Sequence, residues 1–167
     1  ERRCESGFRP GALGATLPRL RRRLSARGVR AGRRVVDHTI GMKPQATPEA
    51  LASFHGRAIT VLVGGQDRGL DWRTFAKAVH EVPPHAIITM GASGARICDV
   101  LRAEGGEYQL ESVAELAESV AAARAATPTG GVVLLSPGAP RFEQFQDYAE
   151  RRRVFADLAR FDGDAIG

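Results

Sequence analysis

A regular alternation of short apolar runs with segments of helical period most strongly constrains how this chain can fold. The apolar runs carry almost no charge, which is typical of parallel strands that are buried on both faces. In the segment after residue 70, apolar residues recur at helical spacing, at Trp72, Phe75, Ala76 and Val79. Strands that alternate with helices in this way indicate a mostly parallel sheet rather than a helical bundle or an all-β fold.

Gly and Pro residues between these segments set the expected bounds of the elements. The strands are predicted at 34–37, 58–63, 86–90, 108–110 and 132–135. Three helices are predicted to begin at the N-caps Thr47, Asp71 and Ser93. Two more are predicted at 111–126, with Val113, Leu116, Ala117, Val120 and Ala121 buried, and at 142–160. The predicted fold class is therefore α/β, a Rossmann-like, mostly parallel sheet with helices on both faces.

Positive charge is concentrated at the start of the chain. Residues 1–34 contain 11 Arg and 2 Glu, a net charge of 11 − 2 = +9, and residues 35–167 contain 13 Lys+Arg and 17 Asp+Glu, a net charge of 13 − 17 = −4. We predict a basic connector at 1–33, one folded domain at 34–162 and a short tail at 163–167. The Arg-rich segment has Phe8 as its only aromatic residue, so it lacks the interleaved aromatics of a nucleic-acid-binding segment, and we expect no nucleic-acid partner.

The composition also excludes several classes of protein. Two cysteines, Cys4 and Cys98, are too few for a disulfide scaffold or a Cys-rich zinc module. The histidines show no metal-ligand spacing, so no metal site is predicted; they are His38, His55, His80 and His85. No apolar run approaches the roughly 20 residues of a membrane span. We expect no secretory signal, no membrane partner and a cytoplasmic location.

The chain lacks the short motifs that would give it a complete catalytic site of its own. Neither lysine follows a glycine, so there is no G-x-x-x-x-G-K-[ST] phosphate-binding loop. G-x-G-x-x-G and G-x-S-x-G are also absent from the sequence. A parallel sheet without these motifs is typical of one domain of a larger enzyme.

Ligands of open parallel sheets bind beyond the carboxyl ends of the strands, which directs attention to the loops 37–47, 64–71 and 136–142. Arg68 follows a Gly-Gly pair in the second loop, where its guanidinium could bind a carboxylate bidentately. The alternative is a surface ion pair of Arg68 with Asp67 or Asp71. The third loop leads into a helix whose N–H groups could bind an anion, or it is a plain Pro/Gly-rich connector.

These three loops, in this order, resemble the C-terminal domain of the Mur ligases, the ATP-dependent amide-forming enzymes of peptidoglycan precursor synthesis. The similarity is greatest to the branch that adds glutamate to UDP-N-acetylmuramoyl-L-alanine. It covers about Thr16 to Phe161 and is carried by three segments: Gly64-Gly65-Gln66-Asp67-Arg68-Gly69-Leu70-Asp71, Leu134-Leu135-Ser136-Pro137, and Phe145 through Tyr148-Ala149-Glu150-Arg151 to Phe155.

The resemblance implies a set of site residues. Its implied glutamate-binding residues are Arg68, Thr39, Phe142, Phe145 and Arg141, with no complete catalytic set in this chain. Asp37 or His38 takes the place of the family's ribose-binding Asp. The resemblance also implies that ATP, Mg²⁺ and UDP-N-acetylmuramoyl-L-alanine are bound mainly by domains outside this chain, and that the chain alone is inactive.

The first and third loops depart from the pattern of the D-glutamate enzymes. Ile40 stands in place of the family's Lys, Met42 in place of its Thr, and Arg141 in place of its Ser. An apolar residue at the Lys position and the Ser-Pro-Gly-Ala-Pro loop are similar to the branch that adds L-glutamate. The sequence leaves the choice of D- or L-glutamate open, and a degenerate, non-catalytic binding domain remains the alternative.

Overall fold

The computed structural model describes residues 25–30, 32–37, 50–54, 56–66, 69–138 and 148–159. Residues 50–52 form a helical turn. The other elements, in chain order, are β1 (Ser25–Arg30), β2 (Arg33–Asp37), β3 (Ile59–Gly64), α1 (Arg73–Glu81), β4 (Ala86–Met90), α2 (Gly94–Glu104), β5 (Gln109–Val113), α3 (Leu116–Ala126), β6 (Val132–Gly138) and α4 (Tyr148–Ala159).

The strands form one six-stranded sheet in the order β1-β2-β6-β3-β4-β5. Four of the five strand pairs are parallel: β2 with β6, β6 with β3, β3 with β4, and β4 with β5. The fifth pair, β1 with β2, is antiparallel. The predicted mostly parallel sheet is confirmed. Strand β1, however, lies within residues 1–33, which the sequence predicted to be a connector. It pairs with only one neighbour, through its backbone, so it needs no apolar run and left no strong signal in the sequence.

Helices cover both faces of the sheet, as predicted, because side chains along each buried strand alternate between two clusters. On the first face, α1, α2 and the turn at 50–52 pack on the sheet, and the cluster includes Val36, Val61, Val63, Trp72, Phe75, Val79, Ile87, Ile97, Leu101, Val132 and Leu134. On the second face, α3 and α4 pack on the sheet. The cluster there includes Val35, Leu62, Ile88, Met90, Leu116, Val120, Ala123, Val133, Leu135 and Phe155.

The segment around residues 108–126 differs from its prediction. Strand β5 extends to Val113, and α3 begins only at Leu116. Glu115 and Glu118 form a capping box that fixes this start. The helix buries Leu116, Ser119, Val120 and Ala123, so the prediction that Ala117 and Ala121 are buried was wrong. Alanine and serine carry too little apolar contrast to set the phase of a helix from sequence.

None of the helices in the described part of the chain has both the length and the apolar character that a bilayer crossing requires.

Candidate functional site

Strand β6 lies between β2 and β3, and the chain leaves β6 toward the face of the sheet opposite to the one it takes after β2 and after β3. The segments after β2 and β3 lead to the first face, whereas the segment after β6 leads to α4 on the second face. Parallel pairing brings the carboxyl ends to one edge, since Asp37 is in register with Leu135, and Gly64 with Gly138. Such switch points are where open α/β sheets bind ligands. The three loops predicted to form the site therefore start side by side.

The turn after β3 is a pair of glycines whose backbone no other residue type would adopt easily. Gly64 and Gly65 have φ values of 133° and 124°. The N–H of Gly65 donates to the carbonyl oxygen of Met90 at 3.0 Å, at the end of β4. A side chain on Gly64 would collide with that same carbonyl oxygen. The Gly-Gly pair thus lets the loop that leads to Arg68 leave the sheet in close contact with β4.

Ser93 contacts the same turn from the start of α2. Its N–H donates to the carbonyl oxygen of Gly65 at 3.0 Å, and its hydroxyl donates to the same oxygen. Ser93 occupies the N-cap position of α2, as predicted, but its side chain makes no hydrogen bond to the helix. The sequence therefore placed Ser93 correctly and misjudged what its hydroxyl does.

Asp71 lies just before α1 and binds Arg73. Its Oδ1 accepts the Arg73 N–H at 2.9 Å and Nε at 3.1 Å, and its Oδ2 accepts Nη2 at 3.2 Å. The helix starts one residue later than predicted, with Trp72 at the N-cap position. These hydrogen bonds hold the pKa of Asp71 below its ordinary value and raise the pKa of Arg73. Both oxygens of Asp71 therefore bind Arg73, and the alternative Arg68–Asp71 pair stays a prediction because Arg68 lies outside the described residues.

The lowered pKa of Asp71 predicts a pH-dependent contribution to stability. A carboxylate with a depressed folded-state pKa stabilises the fold above its unfolded pKa of about 3.9, and the contribution is lost as the pH falls through the lower, folded value. We expect Asp71→Asn to lower the melting temperature slightly at neutral pH, with the difference from wild type shrinking below about pH 4. Melting curves of both chains from neutral to acidic pH test this. A difference that grows on acidification would contradict it.

Most of the predicted site residues fall outside the described part of the chain. Asp37 is the last residue of β2, at the carboxyl edge, and its backbone pairs with β6. Thr39, His38, Arg68, Arg141, Phe142 and Phe145 lie outside the described residues. Their proposed contacts with substrate therefore stay predictions.

A metal or triphosphate site was sought among the residues that are described. They contain no group of three or more His, Cys, Asp or Glu side chains that could hold a metal ion. The sequence contains no Gly-Lys pair of the kind that a phosphate-binding loop needs.

Comparison with known proteins finds several relatives that carry the same name. No protein-family model matches the chain. It is 45% identical over 155 residues to UDP-N-acetylmuramoyl-L-alanine–L-glutamate ligase of Xanthomonas euvesicatoria pv. vesicatoria, covering 91% of this chain and 33% of that protein. The ligase of the same name from Xylella fastidiosa is 46% identical over 147 residues, covering 86% and 31%. That of Salinispora tropica is 40% identical over 131 residues, covering 78% and 29%. The chain thus spans about a third of the length of these relatives.

Solved structures share the fold at lower sequence identity. UDP-N-acetylmuramate-alanine ligase from Thermotoga maritima matches with a TM-score of 0.58 and 20% identity, over 81% of this chain and 29% of that one. A domain of a UDP-N-acetylmuramate:L-alanyl-γ-D-glutamyl-diaminopimelate ligase from Haemophilus ducreyi matches with a TM-score of 0.55 and 12% identity, over 82% of this chain and all of that domain.

The chain is an α/β domain with its candidate site at the carboxyl edge of a mostly parallel sheet, and it shares this fold with domains of the ligases just named. The expected resemblance is confirmed by the relatives that share 40–46% of their residues with the chain. The chain resembles the Mur ligases, in sequence over about a third of the length of its relatives and in fold over one domain.

Proposed function

We propose that this chain is the amino-acid-binding domain of an ATP-dependent ligase that joins L-glutamate to UDP-N-acetylmuramoyl-L-alanine in peptidoglycan precursor synthesis. The observation that carries the proposal is 45% identity, over 91% of the chain, to a ligase named for that reaction. The names of the relatives favour L-glutamate, and so do Ile40 at the family's Lys position and the Ser-Pro-Gly-Ala-Pro loop at 136–140. Synthesis of this precursor from a nucleotide-linked sugar places the proposed enzyme in the cytoplasm.

The geometry of the sheet supports a site formed by all three loops. The strand ends at Asp37, Gly64 and Gly138 lie at one edge on neighbouring strands, so residues shortly after each can reach one ligand. Arg68 follows the Gly-Gly turn of the middle loop. We propose Arg68 as the main carboxylate-binding residue, with Thr39 from the first loop and Arg141, Phe142 and Phe145 after β6. Asp37 or His38 is proposed to contact the ribose of a nucleotide.

The proposed task of these residues is to bind and orient the amino acid. A guanidinium that holds a glutamate carboxylate bidentately fixes the molecule at the end away from its amine. The amine is then free to attack the activated acyl group, and correct orientation of two reactants lowers the barrier to their reaction. Activation of the acyl group uses ATP and Mg²⁺, which we assign to the part of the ligase outside this chain.

A degenerate, non-catalytic binding domain is the competing function. The substituted first loop, with Ile40 and Met42, and the missing phosphate-binding loop are the observations in its favour. Enzymes named as L-glutamate ligases retain 40–46% identity to this chain, so a departure from the D-glutamate pattern is compatible with activity. An assay of the reaction separates the two functions.

The test compares the isolated 167-residue chain with a ligase in which this chain is joined to the remaining domains of the Xanthomonas euvesicatoria relative. Each is mixed with ATP, Mg²⁺ and UDP-N-acetylmuramoyl-L-alanine, and phosphate release is measured with L-glutamate, with D-glutamate and without amino acid. We expect release only from the joined ligase, and only with L-glutamate. The isolated chain is expected to stay at the level of a protein-free blank.

Three outcomes would contradict the proposal in different ways. Phosphate release by the isolated chain would place the ATP site within it. Equal rates with the two glutamate enantiomers would overturn the L-glutamate assignment. A joined ligase that folds but releases no phosphate with either enantiomer, while the natural relative is active in the same assay, would favour the degenerate binding domain.

A further inference from the structure

We propose that Ser93 is a positioning residue for glutamate binding, because it fixes the backbone of the turn from which the β3–α1 loop departs. The inference rests on the proposed function, since it assigns a purpose to the geometry of that loop. It concerns a residue for which the sequence predicts only a helix-capping role. Ser93 lies 28 positions along the chain from Gly65, the residue it binds.

The turn at Gly64 and Gly65 has little to hold it in place by itself. Two successive glycines at positive φ have the widest choice of backbone conformations of any residue pair, so the observed one must be selected by external contacts. One such contact is the hydrogen bond from the Gly65 N–H to the Met90 carbonyl oxygen, at 3.0 Å. This bond holds the Gly64–Gly65 peptide unit, whereas the Gly65 carbonyl belongs to the next peptide unit, Gly65–Gln66, and is held by another group.

Ser93 supplies that second contact through two donors. Its backbone N–H and its hydroxyl both bind the Gly65 carbonyl oxygen. Ser93 is only 6% exposed, and Gly65 is buried, so the contact is shielded from competing water. A carbonyl oxygen has two lone pairs, and engaging both restricts the rotation of the peptide unit more than one bond does.

The turn between β4 and α2 packs closely against Gly65 and further limits the movement of its backbone. Gly91, at φ 75°, lies against Gly65, and a Cβ on Gly91 would be 3.1 Å from the Gly65 Cα. The N–H of Gly94 closes the turn onto the Gly91 carbonyl oxygen at 2.9 Å. The end of β4 and the start of α2 therefore form a rigid support for the β3–α1 loop. Arg68 follows Gly65 by three residues, so a change in this peptide plane would displace the proposed carboxylate-binding side chain.

The experiment replaces Ser93 in the joined ligase described above and measures KM separately for L-glutamate and ATP. Ser93→Ala removes the hydroxyl and keeps the backbone N–H bond to Gly65. We expect the glutamate KM to rise roughly 3- to 10-fold, the range for loss of one buried hydrogen bond. The KM for ATP is expected to stay within about twofold. Ser93→Thr keeps a hydroxyl and is expected to keep most of the glutamate affinity.

Ser119→Ala is the matched control. Ser119 is also fully buried, and its hydroxyl donates to a backbone carbonyl, that of Leu116 at 2.7 Å, but within its own helix on the second face. This variant is expected to leave both KM values unchanged. Melting temperatures of all the variants are measured, so that kinetics are compared among folded proteins.

The outcomes separate the positioning role from the proposed function. If wild type depends on L-glutamate and Ser93→Ala raises both KM values equally, or changes the glutamate KM no more than Ser119→Ala does, the positioning role is overturned. It is equally overturned if Ser93→Ala abolishes cooperative folding, because the hydroxyl would then serve the fold as a whole. Failure of the wild-type protein to use L-glutamate counts against the proposed function itself.

Discussion

Replacing Phe155 with alanine is expected to lower the free energy of unfolding by about 3–5 kcal/mol, as deletions of fully buried aromatic side chains do. Phe155 of α4 is fully buried in the cluster on the second face, against which Val154 and Leu158 also pack. The surrounding cluster contains strand residues from the centre of the sheet, which cannot collapse to fill the space. For a domain of this size the loss corresponds to a fall of roughly 6–20 °C in melting temperature.

Thermal and urea unfolding of the 167-residue chain measure this effect. Val154→Ala is the control, because Val154 precedes Phe155 on the same helix and is only half-buried against the same cluster. We expect Val154→Ala to lower the free energy of unfolding clearly less than Phe155→Ala does. Equal losses for the two variants would show that α4 is not held to the sheet through Phe155.

The central strands and the first-face helices were predictable because their patterns are unambiguous. Strand 86–90 was predicted with the bounds that the structure shows, and β3 within one residue at each end. Each is an uncharged apolar run that ends at a glycine. The buried face of α1 was predicted in full, since Trp72, Phe75 and Val79 are large side chains at helical spacing.

The edges of the sheet were not predictable in the same way. Strand β5 has exposed or half-buried side chains throughout, so its sequence resembles the start of a helix as much as a strand. Strand β1 pairs on one side only and was assigned to a connector. In both cases backbone pairing with a neighbour decides the structure, and that neighbour lies outside the local sequence.

In the candidate site, too, local features were predictable from the sequence and contacts between distant elements were not. Gly64 and Gly65 could be recognised as a turn at a strand end, because glycine after a buried strand has a local meaning. The hydrogen bond from Ser93 to Gly65 could not be predicted, because the whole sheet determines how close the end of β3 lies to the start of α2. A serine before a helix commonly caps that helix, so the sequence predicted capping and not a hydrogen bond to a distant turn.

Arg68→Ala is expected to lower kcat/KM for L-glutamate roughly 10- to 150-fold in the joined ligase. This corresponds to about 1.5–3 kcal/mol, the usual size of a lost charge-assisted hydrogen-bonded pair. The expectation rests on the position of Arg68, three residues after a turn that contacts both β4 and α2. Arg68→Lys keeps the charge without the bidentate geometry, so it should recover only part of the loss.

Steady-state kinetics with L-glutamate and ATP varied separately test this role. Arg73→Ala is the matched control, since Arg73 is an exposed arginine close by whose guanidinium binds Asp71. We expect its glutamate kinetics to resemble wild type, while Arg68→Ala leaves the KM for ATP almost unchanged. A carboxylate-binding residue must affect one substrate selectively. Equal losses toward glutamate and ATP, or equal losses from the two arginine variants, would therefore remove Arg68 from the amino-acid site and assign its effect to the general charge or stability of the loop.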